Sequence, residues 1–309
     1  MQAEPLIIWS DPVRELIGFA GTFLAAGAIG FRYSAARHQT AGSEAAFYIE
    51  GLKRAATLGI VGALIGVIFV LMAVPATAAK LHLSTVQVVT TDLGTALSLI
   101  FALLTLAGLL LAWTGLRAGW PTAAIGIVGV AFQPAFLAKW ISLVNPIHRL
   151  AAGLWIGTLF VLVIAGLVPL LRHEELRDRR GAIAADMVNR FSPLALSMGG
   201  VVVVFGAITA WRHLPVISDL WTTPYGYALI AKLTLVAIVF GLGAFNWRRQ
   251  RPTLGSESAA ISLKRSARHE LTIAALVLVV TAILVSLPSP PKPKPAAGAA
   301  AQTGATTSP

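Results

Sequence analysis

The sequence predicts an all-α, polytopic membrane protein with eight transmembrane helices and both termini in the periplasm. Of its 309 residues, 56% are apolar and 12% are charged, and the mean hydropathy is +0.77. A soluble domain carries about 45–50% apolar and about 25% charged residues, so this chain has roughly half the charge that a water-facing surface needs. Its apolar residues fall in blocks of about 20, the length of helix that crosses a hydrocarbon core of ~30 Å. These observations exclude a soluble globule.

Eight apolar stretches bounded by charged residues are the predicted spans. The fourth contains Gly126, Gly129, Gln133 and Pro134, so a kinked or partly re-entrant segment is the alternative to a full crossing at that place. In chain order the predicted spans are residues 13–31, 57–77, 93–114, 121–137, 147–171, 192–211, 226–246 and 269–287.

The spans divide the chain into two halves and a tail. Residues 1–140 form a predicted N-terminal four-helix half, and residues 141–288 form a C-terminal four-helix half. Residues 289–309 are rich in Pro, Ala, Gly and Thr and lack apolar periodicity, which predicts a disordered periplasmic extension.

Basic residues in the loops predict the orientation of the helices. The loops at residues 32–56, 115–120, 172–191 and 247–268 together carry sixteen Lys and Arg, and the loops and tail on the opposite side carry five. Basic loops stay in the cytoplasm, so the first set is predicted to be cytoplasmic. This asymmetry accounts for the formal net charge of +11, and no nucleic-acid partner is predicted. The expected surroundings are the lipid bilayer of a bacterial inner membrane.

Several chemistries are excluded by residue type. The chain has no cysteine, so it has no disulfide and no thiolate metal ligand. Its 13 acidic residues all fall in loops or near span ends, and no nucleotide-binding loop or Ser/His/Asp set is visible. An enzyme is therefore not predicted.

The histidines supply the candidate metal ligands. Of the six in the chain, His82, His148 and His213 fall on the predicted periplasmic side. His148 opens the fifth span and His213 closes the sixth, so two antiparallel neighbours would bring them to the same depth. Imidazole is the commonest metal ligand and suits copper in either oxidation state. The alternative for His148 and His213 is an interfacial side chain bonded to a loop carbonyl.

A charged residue, Lys232, is also predicted to lie within a span. Lys232 lies about two turns inside the seventh span, where a charge costs on the order of 2.5 kcal/mol or more unless it snorkels or is paired. Asp92 and Asp219 are the candidate partners.

His148 and Trp155 share one face of the fifth span. Two Gly-x-x-x-Gly pairs, at residues 62–66 and 153–157, predict close helix approach.

Four runs of sequence resemble the CopD family of copper-resistance membrane proteins. The family pattern has a His followed seven residues later by Trp-x-Gly, then R-F-S-x-x-A, K-L-x-L and a closing N-x-x-R-x-x-P. All of these occur here in order, and the resemblance covers about residues 145–290. The runs are NPIHRLAAGLWIG at 145–157, NRFSPLA at 189–195, AKLTL at 231–235 and FNWRRQRP at 245–252.

This resemblance implies copper handling at the inner membrane. In the family this is uptake of periplasmic copper toward the cytoplasm, together with a separate periplasmic copper carrier of the CopC type. Only His148 matches a motif position with a ligand role; His213 and His82 are candidates from the predicted topology. The oxidation state of the copper, the transport direction and the oligomeric state are left open.

Two alternative functions fit the same residues. One is a b-type haem protein of the membrane, with His148 and His213 as axial ligands and Trp155 as a wall of the pocket. The other is a factor that delivers copper to an oxidase during its assembly without transporting it.

Overall fold

The computed structural model describes residues 7–36, 42–136, 140–214, 216–250 and 257–290. All regular structure in these ranges is helical, as predicted. Most of the predicted tail at 289–309 lies outside the described residues. The α-helices are α1 (Ser10–Gly30), α2 (Ser43–Leu81), α3 (Thr85–Thr91), α4 (Leu93–Trp113), α5 (Gly119–Phe136), α6 (Val144–Ala152), α7 (Thr158–Val161), α8 (Val168–Arg172), α9 (Arg180–His213), α10 (Asp219–Thr222), α11 (Pro224–Gln250) and α12 (Glu257–Ser286).

Three stretches of π-helix lengthen or interrupt the long helices. Phe31–Ala35 extends α1, while Gly153–Gly157 and Leu162–Leu167 join α6, α7 and α8 into one continuous rod, Val144–Arg172. A π-turn inserts a residue into the helix and is frequent at functional sites. In this chain one of them, Gly153–Gly157, contains Trp155.

Seven helical segments of the described chain are long and apolar enough to cross a membrane, so the protein is a multi-pass membrane protein. They overlap seven of the predicted spans. The predicted fourth span falls on α5, an 18-residue helix that is not among the seven. The segments are Ser10–Ala35, Ser43–Leu81, Leu93–Trp113, Val144–Arg172, Glu174–His213, Pro224–Phe245 and Arg268–Ser286.

Helix α5 is continuous and packs along α4. Gln133 is only 7% exposed, and its Oε1 accepts a hydrogen bond from the Ser98 hydroxyl on α4 at 3.0 Å. A Cβ at Gly126 would lie 2.5 Å from the backbone nitrogen of Thr105, so only glycine allows this approach. The residues that make the fourth span irregular in sequence are therefore those that join it to α4.

The centre of the bundle is the crossing of α1 with the rod Val144–Arg172. A Cβ at Gly27 would overlap the carbonyl of Gly157, and a Cβ at Gly157 would overlap the carbonyl of Phe23. In Ser10–Ala35 and in the rod Val144–Arg172, 56% of the most apolar 18-residue stretch is buried. In Glu174–His213 and Pro224–Phe245 the corresponding fraction is 11%. Helix α1 and the rod Val144–Arg172 thus form the core of the bundle, and α9 and α11 lie on its outside.

The two Gly-x-x-x-Gly pairs are each used only in part. A Cβ at Gly62 would overlap the carbonyl of Gly21, whereas Gly66 faces open space, so the prediction of close approach is wrong for Gly66. Gly157 touches α1 more closely than Gly153, whose Cβ would lie 3.3 Å from that of Ala26. The motif identifies a helix face made of small residues. The point at which the partner helix crosses this face decides which glycine is needed.

One end of the bundle, which we call the basic end, is held by ionic contacts. Arg179 at the start of α9 lies 3.2 Å from Glu44 at the start of α2, and Glu44 is buried. Buried Arg180 donates to the carbonyl of His173 at 3.2 Å and to Glu174 at 3.3 Å. These contacts fix the start of α9, the helix that faces both sites described below.

The central crossing gives a stability prediction. Gly157→Ala places a methyl group against the Phe23 carbonyl and is expected to lower the free energy of unfolding by about 1–3 kcal/mol. The measurement is the thermal melting of the purified protein in detergent. Gly200→Ala is the matched control, because nothing lies within 4 Å of a Cβ at Gly200. Equal melting temperatures for the two variants would contradict the crossing.

Candidate functional site

His148 lies on the second turn of α6 and faces α9. The predicted fifth span begins at residue 147, but α6 begins at Val144, directly after the 3₁₀ turn Trp140–Leu143. The Thr209 hydroxyl donates to Oδ1 of Asn145 at 3.1 Å, which sets the register of the antiparallel helices α6 and α9. Three residues further along α6, Nδ1 of His148 lies 3.0 Å from the carbonyl oxygen of Val202.

This hydrogen bond determines the tautomer of the neutral imidazole. A carbonyl oxygen only accepts, so Nδ1 of His148 carries the hydrogen and Nε2 keeps its lone pair. Histidines that bind metals characteristically donate their second ring N–H to a carbonyl or carboxylate, which orients the ring. Gly206 makes room for the ring, since a Cβ there would lie 3.0 Å from Cε1 of His148. His148 is thus fixed, and none of the described residues bonds to its Nε2.

His213 lies further out along α9 than His148. Its Nδ1 donates to the carbonyl of Thr209 at 2.8 Å, and its ring stacks on Tyr225 with 6.2 Å between centroids. His148 meets α9 at Gly206, seven residues before His213, which is a rise of about 10 Å. The prediction that the two histidines share one depth is therefore wrong. The physical reason is that the extra turn at the start of α6 carries His148 inward.

His82 is not part of this arrangement. It follows α2 as its C-terminal cap, is exposed, and has a left-handed φ of 56°. Within the described ranges, no group of three or more His, Cys, Asp or Glu side chains could hold a metal ion. The three predicted ligands, His148, His213 and His82, are accordingly three places on the molecule and not one cluster.

Lys232 of α11 is a charged group in the neighbourhood of His148. Its ammonium lies close enough for its charge to act on the imidazole. The predicted pairing with Asp92 or Asp219 is not found, because no ion pair joins Lys232 to any described carboxylate. Asp92 instead caps α4, where its Oδ2 accepts from the backbone nitrogen of Thr95 at 2.8 Å. Hydrogen bonds from the hydroxyl and backbone N–H of Thr95 lower the pKa of Asp92.

An aromatic pair lies on the same face, two turns deeper than His148. The rings of Trp155 and Phe240 are 4.6 Å apart between centroids and tilted by 38°, and they meet over Gly199. Seven residues separate His148 from Trp155, and seven separate Gly206 from Gly199 on the opposing helix. Phe240 and the two glycines were not predicted as site residues. The seven-residue spacing of Gly199 and Gly206, which matches that of His148 and Trp155, is the sequence signal that could have identified the two glycines.

The arrangement provides one oriented imidazole nitrogen, a nearby ammonium and an aromatic wall. Since no group of three or more described His, Cys, Asp or Glu side chains could hold a metal ion, a copper ion on Nε2 of His148 needs further ligands of another kind, such as water or a donor molecule. An axial haem pair of His148 and His213 is not supported, since the two rings lie at different depths along α9.

Part of the chain matches a known protein family. Residues 185–284 match the family model Copper resistance protein D, CopD. Over this region the chain is similar to the CopD family. The CopD region contains α9 with Gly206 and α11 with Lys232, whereas His148 precedes it.

A curated relative supports the same assignment. The chain is 31% identical over 149 residues to the copper transport protein CutJ of Bacillus subtilis (strain 168). The aligned part is 47% of this chain and 25% of the relative, so the chain spans about a quarter of the length of the protein it matches. No solved structure gives a significant match. The names of the matched family and of this relative both refer to copper.

The aromatic pair gives a second prediction. Trp155→Leu and Phe240→Leu are each expected to destabilise the protein, and the double variant is expected to lose less than their summed effects, with a coupling of about 0.5–1.5 kcal/mol. The measurement is a double-mutant cycle on detergent-solubilised protein. Strictly additive losses would show that the two rings do not interact.

Proposed function

We propose that the protein takes up copper ions from the periplasm and passes them toward the cytoplasm across a bacterial inner membrane. The observation that carries the proposal is the hydrogen bond from Nδ1 of His148 to the Val202 carbonyl, because it leaves Nε2 oriented and free to bind a metal ion. The family match and the copper transport relative supply the identity of the metal.

The three histidines act at successive depths in this proposal. His82 and His213 lie nearer the periplasm, and His148 is the inner station, about 10 Å beyond His213 along α9. A separate periplasmic carrier of the CopC type hands copper to the outer histidines. The positive charge of Lys232 beside His148 disfavours long residence of a cation there, which suits a transfer site more than a storage site.

The proposed orientation has eight spans with α5 as the fourth, both termini in the periplasm, and the basic end in the cytoplasm. It is supported by the excess of Lys and Arg in the loops of that end. The division into halves at 1–140 and 141–288 is part of the same proposal.

The site is tested by a single substitution. His148→Ala is expected to lower copper accumulation in cells at least tenfold, because it removes the oriented imidazole nitrogen on which the proposed transfer depends. Copper content at equal expression is the measurement. His269→Ala is the matched control, because His269 is exposed on the opposite side of the predicted membrane. Unchanged copper content in the His148 variant would overturn the proposal.

The topology is tested by single cysteines, which the cysteine-free chain makes unambiguous. Ser142→Cys and Ser289→Cys are expected to react with a membrane-impermeant maleimide added to spheroplasts, because both lie at the proposed periplasmic face. Ser43→Cys and Thr114→Cys are expected to react only after lysis. If Ser142→Cys reacts only after lysis, as is expected of Thr114→Cys, α5 does not cross the membrane. If the labelling results of all four variants are reversed, the orientation is inverted.

A further inference from the structure

A cavity of about 520 Å³ opens between the end of α1 and the middle of α9. Its volume lies within the range of small-molecule sites, about 300–1,000 Å³. The rod Val144–Arg172 contributes Leu154, and two π-helical turns, Phe31–Ala35 and Gly153–Gly157, border the cavity. It lies on the basic side of Trp155 and does not include His148.

The lining of the cavity is polar at one end and apolar at the other. Tyr33 and Arg190 lie toward the basic end, while Ile29, Leu154 and Leu194 lie deeper in the bundle. Along α9, Ser197 is seven residues beyond Arg190, a depth of about 10 Å.

The two serines of the lining do not make the deep part polar. The Ser34 hydroxyl donates to the carbonyl of Gly30 at 2.6 Å, and the Ser197 hydroxyl donates to the carbonyl of Pro193 at 2.8 Å. Both donors are therefore satisfied within their own helices. The deep part of the cavity offers an apolar surface to an occupant.

Arg190 is arranged to hold a second anion. Its Nε donates to both carboxylate oxygens of Asp186 at 3.0 Å, and its side chain is 43% exposed. The terminal nitrogens of the guanidinium have no partner among the described residues. A guanidinium presents two such donors in the geometry that a phosphate group accepts.

We propose that this cavity binds an anionic phospholipid of the leaflet at the basic end. The phosphate lies on the terminal nitrogens of Arg190, the phenol of Tyr33 contacts the headgroup, and one acyl chain runs past Leu194 and Leu154 toward the bilayer centre. The direction of the polar-to-apolar gradient matches that of a lipid in the leaflet, and basic pockets between transmembrane helices bind such headgroups. The site is independent of the copper proposal.

Native mass spectrometry of the full chain, delipidated in an uncharged detergent, tests the proposal. Palmitoyl-oleoyl phosphatidylglycerol is expected to bind about tenfold more tightly than the phosphatidylcholine with the same chains, because only the former carries net charge. Arg190→Gln is expected to abolish this preference, and Arg190→Lys to keep part of it. Arg177→Gln is the matched control, an exposed arginine at the same end that does not line the cavity.

The acyl chain is tested separately from the headgroup. Leu194→Trp fills the deep part of the cavity and is expected to weaken binding of both lipids, while Leu196→Trp, at a side chain that is 82% exposed, leaves binding unchanged. Retention of the preference in Arg190→Gln would overturn the proposal. Equal binding in the two tryptophan variants would overturn it as well. Displacement of the lipid by equimolar glycerol phosphate would show a soluble phosphate site instead.

Discussion

The close crossing of α1 and the rod Val144–Arg172 is the contact on which the other features depend. Two backbones meet at Gly27 and Gly157 without intervening side chains. In a bilayer the hydrophobic effect contributes little between helices, so such packing of small residues is a principal source of association. With one face of the rod buried against α1, the opposite face carries His148 and Trp155 to α9 and α11.

That second face is built on glycines of α9. Gly206 accommodates the imidazole and Gly199 accommodates the aromatic pair, and the Asn145–Thr209 hydrogen bond sets the register between them. The same register places the carbonyl of Val202 at Nδ1 of His148. The orientation of the ligand atom is therefore a consequence of helix packing and not of a local loop.

The two ends of α9 serve different chemistries in the proposals made above. The outer end offers imidazole nitrogens to a cation, and Lys232 opposes tight retention of that cation. The basic end offers a guanidinium to a phosphate, above an apolar cavity. Because these sites are separated by the Trp155–Phe240 pair, the lipid and the metal ion would occupy opposite sides of one aromatic barrier.

The sequence by itself determined the class of protein, seven of the membrane segments and the face of the rod that carries His148 and Trp155. These features follow from composition, from apolar length and from the period of a single helix, all of which are local. Only the tertiary structure decided that His148 lies about 10 Å deeper than His213, that Lys232 lies near His148 and pairs with no described carboxylate, and that Gly62 is needed while Gly66 is not. Depth and pairing depend on where neighbouring helices cross and begin, and a helical period does not contain that information.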